Sequence, residues 1–404
     1  MRIIIIRKYN FVHRCQTKFS NFFSTFPMFN SSLALRRWGW LHKWSSLLCT
    51  LFLVLLCLSG LPLIFSAEIR ALGGEDVQVS VPANATPASL DAVVATAHQA
   101  YPSLVPLYLF APEEPGGAWL VKMDTRPDTD ERAAKFARVD AYDARLLGAP
   151  RYDVGFMAWV YRLHVDLFAG LPGKLFLGAM GLLFVIAIAS GVVLYAPFMR
   201  RLRFGTLRTD RSRRTRWLDV HNLLGIVTVV WALVVGGTGV INTWADLILQ
   251  HWQAQQLVQL RQAGAAEATQ PAGAATAGAR IRPQQALQLA VAAHPEMEVT
   301  TVAFPGTLLS TARHYAIFMR GKSSLRAHLR QPVLVDRNTG TLTEGTGRPF
   351  YVTVLQMAQP LHFGDYGGLP LKIVWALLDI ATLLVLGSGL YLWLARGRRA
   401  GEAR

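Results

Sequence analysis

Four stretches of this chain, residues 44–65, 175–195, 223–244 and 373–394, are apolar over the length of a bilayer's interior. A hydrocarbon layer of about 30 Å takes about 20 helical residues to cross. Within it, only a helix or a closed barrel satisfies every backbone polar group. The expected fold class is therefore an α-helical integral membrane protein with four transmembrane helices.

Charge orients those helices. The net charge is +16, and it is unevenly placed. Residues 1–43 carry eight Arg or Lys and no Asp or Glu, residues 197–216 carry eight Arg and one Asp, and four more Arg follow Leu394. Positive residues beside apolar spans mark the cytoplasmic side, so both termini and the link between the second and third spans are expected there. The basic balance is then a topology signal and not a nucleic-acid signal. Cys49 and Cys57 lie inside the first span, where cysteine acts as a small apolar residue. No Cys-x-x-Cys-His occurs, which excludes covalent c-type haem. Residues 1–34 read as a cytoplasmic extension, with neither a clean signal peptide nor a span in it and with Met28 a candidate start.

The two long connections, expected outside, look like small α+β units. In the first, residues 86–100 read as a helix starting at Thr86 and Pro87, followed by strands at 118–123 and 136–142. In the second, Arg282-Pro283 opens a helix to Ala292, with strands at 299–304, 315–320 and 332–336 and a turn at Asp336-Arg337-Asn338-Thr339-Gly340. Residues 264–279, rich in Ala and Gly, read as a flexible insertion.

The halves are copies. His42 precedes Gly60 by 18 residues and His221 precedes Gly239 by 18; His164 precedes Gly191 by 27 and His362 precedes Gly389 by 27. Gly-Leu-Pro-x-Lys recurs at Gly170 and Gly368. Each copy begins in the cytoplasm, so the repeats are parallel, and such repeats place a shared site between the halves. His42 and His221 enter the membrane from one side, His164 and His362 from the other. A low-spin haem takes two imidazoles from opposite faces, and one pair per leaflet would hold two. Arg36, Arg37, Lys43, Arg216, Lys174 and Lys372 are placed to pair with propionates. Gly178, Gly181, Gly225, Gly237 and Gly239 are small enough for a flat macrocycle to approach. The rival readings are interfacial anchoring, a metal other than haem iron (two His being few for zinc) and a proton relay. Asp379, a carboxylate within the fourth span, reads as a proton or quinol site, or as a hydrogen-bond partner of a neighbouring helix. His98, His251, His294, His314 and His328 read as structural.

These residues resemble the PepSY-associated transmembrane family, which includes iron-regulated inner-membrane proteins and ferric siderophore reductases. The likeness lies in Leu41-His42-Lys43-Trp44, Leu163-His164, His221-Asn222 with Gly225, Leu361-His362-Phe363-Gly364, and the span ends Ser190-Gly191, Thr238-Gly239 and Ser388-Gly389. The connections resemble PepSY repeats at Val335 to Gly340 and at Val139 to Asp143. Tyr195-Ala196-Pro197-Phe198 departs from the family's Trp-Trp-Pro-Arg.

The expected domains are an extension (1–34), helix 1 (35–67), PepSY-like unit 1 (68–160), helix 2 (161–200), a basic loop (201–216), helix 3 (217–245), PepSY-like unit 2 (246–358), helix 4 (359–395) and a tail (396–404). The resemblance implies a multi-pass bacterial inner-membrane protein with two bis-His b haems at His42, His221, His164 and His362. It would pass electrons from a quinol or a separate reductase to a ferric siderophore or related ferric chelate, making it a ferric-chelate reductase. No Gly-x-Gly-x-x-Gly follows a predicted strand, so no internal nicotinamide or flavin domain is read. The alternative is a non-redox PepSY module that binds peptide, inhibits a protease or supports a transporter.

Overall fold

The computed structural model describes residues 31–73, 86–112, 117–129, 134–150, 154–199, 204–268, 280–322, 330–344, 350–364 and 366–401. The extension up to residue 30, with His13, lies outside the described residues. So do His328, residues 269–279 of the Ala/Gly-rich stretch, and 201–203 of the basic loop. The chain divides into two compact units, one of long helices and one built on a sheet.

The helical unit comprises residues up to Ser66, Phe156–Trp244 and Ala358–Arg404. Four of its helices are long and apolar enough to cross a bilayer. They are α1 (Ser32–Ile64, followed by the short α2, Ser66–Leu72), α5 (Leu171–Met199), α6 (Arg213–Ala268, apolar to Ala245) and α9 (Gly368–Gly401). Large apolar side chains stand exposed along them, among them Leu51, Val230 and Leu377, as a helix face bathed in hydrocarbon requires. Ser31 caps α1 by accepting the Ala34 N–H at 3.0 Å.

Two shorter helices, α4 (Phe156–Asp166) and α8 (Phe350–Phe363), carry His164 and His362. The sequence reading joined these segments to the spans that follow. Instead, the chain breaks between them: Gly170 and Gly368 sit at φ +62° and +58°. That left-handed geometry suits glycine and ends a helix. The duplicated Gly-Leu-Pro-x-Lys stretch is thus the corner from which α5 and α9 start, with Leu-Pro in the first turn where the missing N–H costs nothing.

The other unit comprises Ala67–Gly155 and Ala245–Met357. The two predicted α+β pieces form one eight-stranded antiparallel sheet. Its strands are β1 (Val105–Phe110), β2 (Ala118–Asp124), β3 (Lys135–Asp140), β4 (Leu146–Gly148), β5 (Met297–Ala303), β6 (His314–Gly321), β7 (Arg330–Asp336) and β8 (Leu342–Glu344), in the order β4-β3-β2-β1-β5-β6-β7-β8. The copies meet at β1 and β5, where Tyr108, Leu109 and Phe110 pair with Ala303, Val302 and Thr301. Pro106 hides β1 from a sequence reading. It is tolerated because the register with β2 is irregular there and β5 does not reach it.

Helices α3 (Leu90–Ala100) and α7 (Pro283–Ala293) cover one face of the sheet. Leu90, Val93 and Ala97 of α3 and Ala286 and Ala290 of α7 bury against Leu109, Val121, Val139, Val302, Ile317 and Val335. The α3 helix begins three residues later than Pro87 indicates, because Ser89 and not Thr86 accepts the Ala92 N–H. The helices are also tied to each other. The Leu90 N–H donates to Gln284 Oε1 at 2.8 Å, and the Gln284 N–H donates to Asp91 Oδ1 at 3.2 Å. The most PepSY-like motif residues, Asp140 and Asp336, close turns: each Oδ1 accepts two backbone N–H groups from the residues just after it.

Candidate functional site

The structure sets His42 beside His221, with ring centroids 6.4 Å apart, and His164 beside His362, with centroids 6.3 Å apart. Each pair draws one member from each half of the sequence. The planes cross at 73° and 62°, so the rings do not stack.

Each ring is gripped from behind by one turn of another helix, and the grip is the same four times. His42 Nδ1 lies 2.8 Å from the Ala187 carbonyl and 3.3 Å from Ser190 Oγ, on α5. His164 Nδ1 meets Ser59 Oγ at 2.9 Å and the Leu56 carbonyl, on α1. His221 Nδ1 meets the Val385 carbonyl at 3.1 Å and Ser388 Oγ at 3.0 Å, on α9. His362 Nδ1 meets the Val235 carbonyl at 2.9 Å and Thr238 Oγ1 at 3.4 Å, on α6. The carbonyl always lies four residues before a glycine, and the hydroxyl one residue before it.

That glycine makes the grip possible. A Cβ at Gly191 would stand 3.0 Å from His42 Cε1. At Gly239 it would be 3.1 Å from His362 Cε1, and at Gly60 and Gly389 3.3 Å from Cε1 of His164 and His221. The constant spacings of 18 and 27 residues therefore measure from a ring to the turn on which a ring of the same half is seated. The Ser-Gly and Thr-Gly pairs looked like helix ends in sequence. They lie within helices and are seats.

The network also fixes the tautomer. A carbonyl can only accept. The hydroxyls spend their own protons on their helices: Ser59 on Leu55, Ser190 on Ile186, Thr238 on Val234 and Ser388 on Val385. Each Nδ1 must then be the protonated nitrogen, which leaves Nε2 with its lone pair. A metal in line between one nitrogen of each ring, with bonds of about 2 Å and about 1.1 Å from nitrogen to centroid, holds two centroids about 6.2 Å apart. Both pairs are close to that separation. No group of three or more His, Cys, Asp and Glu that could hold a metal ion occurs among the described residues. Two imidazoles alone suit a metal whose remaining positions are filled by a macrocycle.

Other expected contributors fall in varied places. Gly178 and Gly181 serve helix packing and not a macrocycle, since a Cβ on them would press on Thr243 and Val240 of α6. Gly225 and Gly237 face open space. Arg36, Arg37 and Arg216 are exposed near the His42–His221 level, and Lys43 lies over the Trp44 ring at 4.5 Å. His98 hydrogen-bonds to the Leu104 carbonyl, His294 lies near Glu296 and His314 meets Thr311, all in the sheet unit.

Sequence reasoning missed Asp219. It is buried two residues before His221, and Arg208 of the basic loop holds it with three N–H groups at 2.7 to 3.0 Å. The only hint was an Asp at the mouth of a span. Asp379 is buried in α9. Its neighbour is the Cys57 thiol of α1.

Residues 39–396 match the PepSY-associated TM region family. A similar protein from Pseudomonas aeruginosa, described as uncharacterized protein PA4219, is 27% identical over 259 residues, which is 60% of this chain and 64% of that one. The chain thus spans slightly under two thirds of the length of this curated relative.

Proposed function

The chain belongs to the PepSY-associated TM region family, and on that footing we propose that it is a two-haem b-type oxidoreductase of the bacterial inner membrane. The observation that carries the reading is the pair of histidine couples, each with Nδ1 tied back and centroids at the separation a shared iron requires. A haem at each couple would supply one reversible one-electron carrier per leaflet.

The chain's own residues do the rest. Ala187, Leu56, Val235 and Val385 orient the rings and keep Nε2 unprotonated. The apolar helices keep water from the path between the two levels. The basic residues support a cytoplasmic position for the His42–His221 level, where a quinol or a separate reductase delivers electrons. The His164–His362 level then faces the periplasm, where the acceptor is a ferric siderophore or related ferric chelate. Reduction releases the metal because hard oxygen donors hold Fe(III) better than Fe(II).

The test is a haem count. Purified from haem-replete cells, the protein is expected to show a Soret band and two haems per chain by pyridine haemochromogen. His42→Ala and His164→Ala should each lose one. A colourless protein that still folds would overturn the reading and leave a non-redox PepSY module.

A further inference from the structure

Asp379 breaks the internal symmetry of the helical unit. The offsets that carry His42 to His221 and His164 to His362 also carry Cys57 to Gly236 and Gly181 to Asp379. The contact between Cys57 on α1 and Asp379 on α9 therefore has a twin, in which a Cβ on Gly181 would lie 3.9 Å from the Gly236 carbonyl. One of the twin places holds two glycines and the other a thiol and a carboxyl.

The carboxyl is 6% exposed, and its Oδ2 is buried with no hydrogen-bond partner. It forms no ion pair among the described residues, and the titratable group that meets it is the Cys57 thiol. A carboxylate so placed in a span is unfavourable unless something offsets its charge. The offset is close on one side only. Cys57 belongs to the turn of α1 on which His164 rests, between Leu56 and Ser59. Along α9, Asp379 lies six residues, about 9 Å of helix rise, from the Val385 seat of His221. It therefore belongs to the level of His164 and His362.

We propose that Asp379 is the proton-accepting group coupled to reduction at the His164–His362 couple. The inference rests on the two-haem reading above. With a haem held by His164 and His362, the gain of one electron would remove one positive charge from that level, and the Asp379 carboxylate would lose its offset. One proton from water then binds an Asp379 oxygen, so that one electron and one proton arrive together and the local charge is unchanged. Oxidation reverses both transfers. The Cys57 thiol donates to the carboxylate form and orients it. No such group stands at the twin position, so the His42–His221 couple takes its electron without a proton from this site.

The experiment is a redox titration of the full chain in detergent, followed by absorbance from pH 5 to 9. His42→Ala, which keeps the His164–His362 couple, assigns the two transitions. In the unaltered protein, the His164–His362 transition should change its reduction equilibrium about tenfold per pH unit over part of this range, about 59 mV per unit for one electron. The slope should vanish in Asp379→Asn with haem content unchanged, and persist in Asp379→Glu. If Asp379→Asn does not fold, Cys57→Ala provides the check: it should shift the pH range of the slope. A two-haem protein whose potentials ignore pH, or one that keeps its slope in Asp379→Asn, overturns this inference alone. A colourless protein overturns the two-haem reading and this inference with it.

Discussion

Between Gly191 and His42 there is no room for a methyl group: a Cβ on Gly191 would lie 3.0 Å from Cε1 and 3.3 Å from Nδ1 of the ring. The ring's position is set as much by this missing side chain as by the hydrogen bond behind it. Gly191→Ala should push His42 by a few tenths of an ångström and loosen what it holds. Under the two-haem proposal we expect about tenfold faster haem loss from one of the two sites, as for other changes behind a ligating histidine. Transfer to an excess of a haem scavenger measures it. Unchanged loss from both sites would show that the ring yields freely.

The hydroxyl seats can be ranked by distance. Ser59 meets His164 Nδ1 at 2.9 Å, whereas Thr238 meets His362 Nδ1 at 3.4 Å. Ser59→Ala should therefore cost more haem retention than Thr238→Ala, by a few-fold, since a hydrogen bond contributes about 1 kcal/mol net. The same scavenger assay compares them, and the reverse order would contradict the geometry.

Arg208→Ala should destabilise the helical unit. Asp219 would stay buried without the guanidinium that now holds both its oxygens. Leaving such a group unpaired costs about 1–3 kcal/mol, given that Arg208 is itself partly exposed. Thermal unfolding in detergent should show a lower Tm, and Arg208→Ala combined with Asp219→Asn should recover part of the loss.

In the sheet unit, Asp124 sets an acid limit. The Thr125 N–H at 2.7 Å, and after it the Thr129 hydroxyl at 2.8 Å, hold its carboxyl below the usual range. A depressed carboxyl stabilises fully above its unfolded value of about 3.9 and loses that contribution as pH falls through the lower folded value. Asp124→Asn should therefore lower Tm at pH 7, and the gap to the unaltered protein should shrink at about pH 3. A gap that stays constant with pH would assign the effect to packing.

Much of this architecture could be read from sequence. The spans follow from hydropathy, and most strands from alternation and turn residues such as Asp336 to Gly340. β1 escaped because Pro106 disguises a central strand, and its tolerance depends on an irregular register that only the fold reveals. The break after His164 escaped because Gly170, whose positive φ ends the helix, read in sequence only as part of a repeated motif. The spacings marked the four rings, yet nothing in sequence names a carbonyl acceptor. Ala187, Leu56, Val235 and Val385 have ordinary apolar side chains, and their role is carried wholly by the backbone. The partner of Asp379 was missed because a cysteine in a span usually reads as an apolar filler.

The seats are unequally shared among the helices. α1 lends His42 to α5 and receives His164 at Gly60, and α6 lends His221 to α9 and receives His362 at Gly239. A slide or twist of α1 alone would disturb a ring of both histidine couples together. The two couples are thus not separable modules: a single rod bears on each, so a displacement at one level is passed to the other.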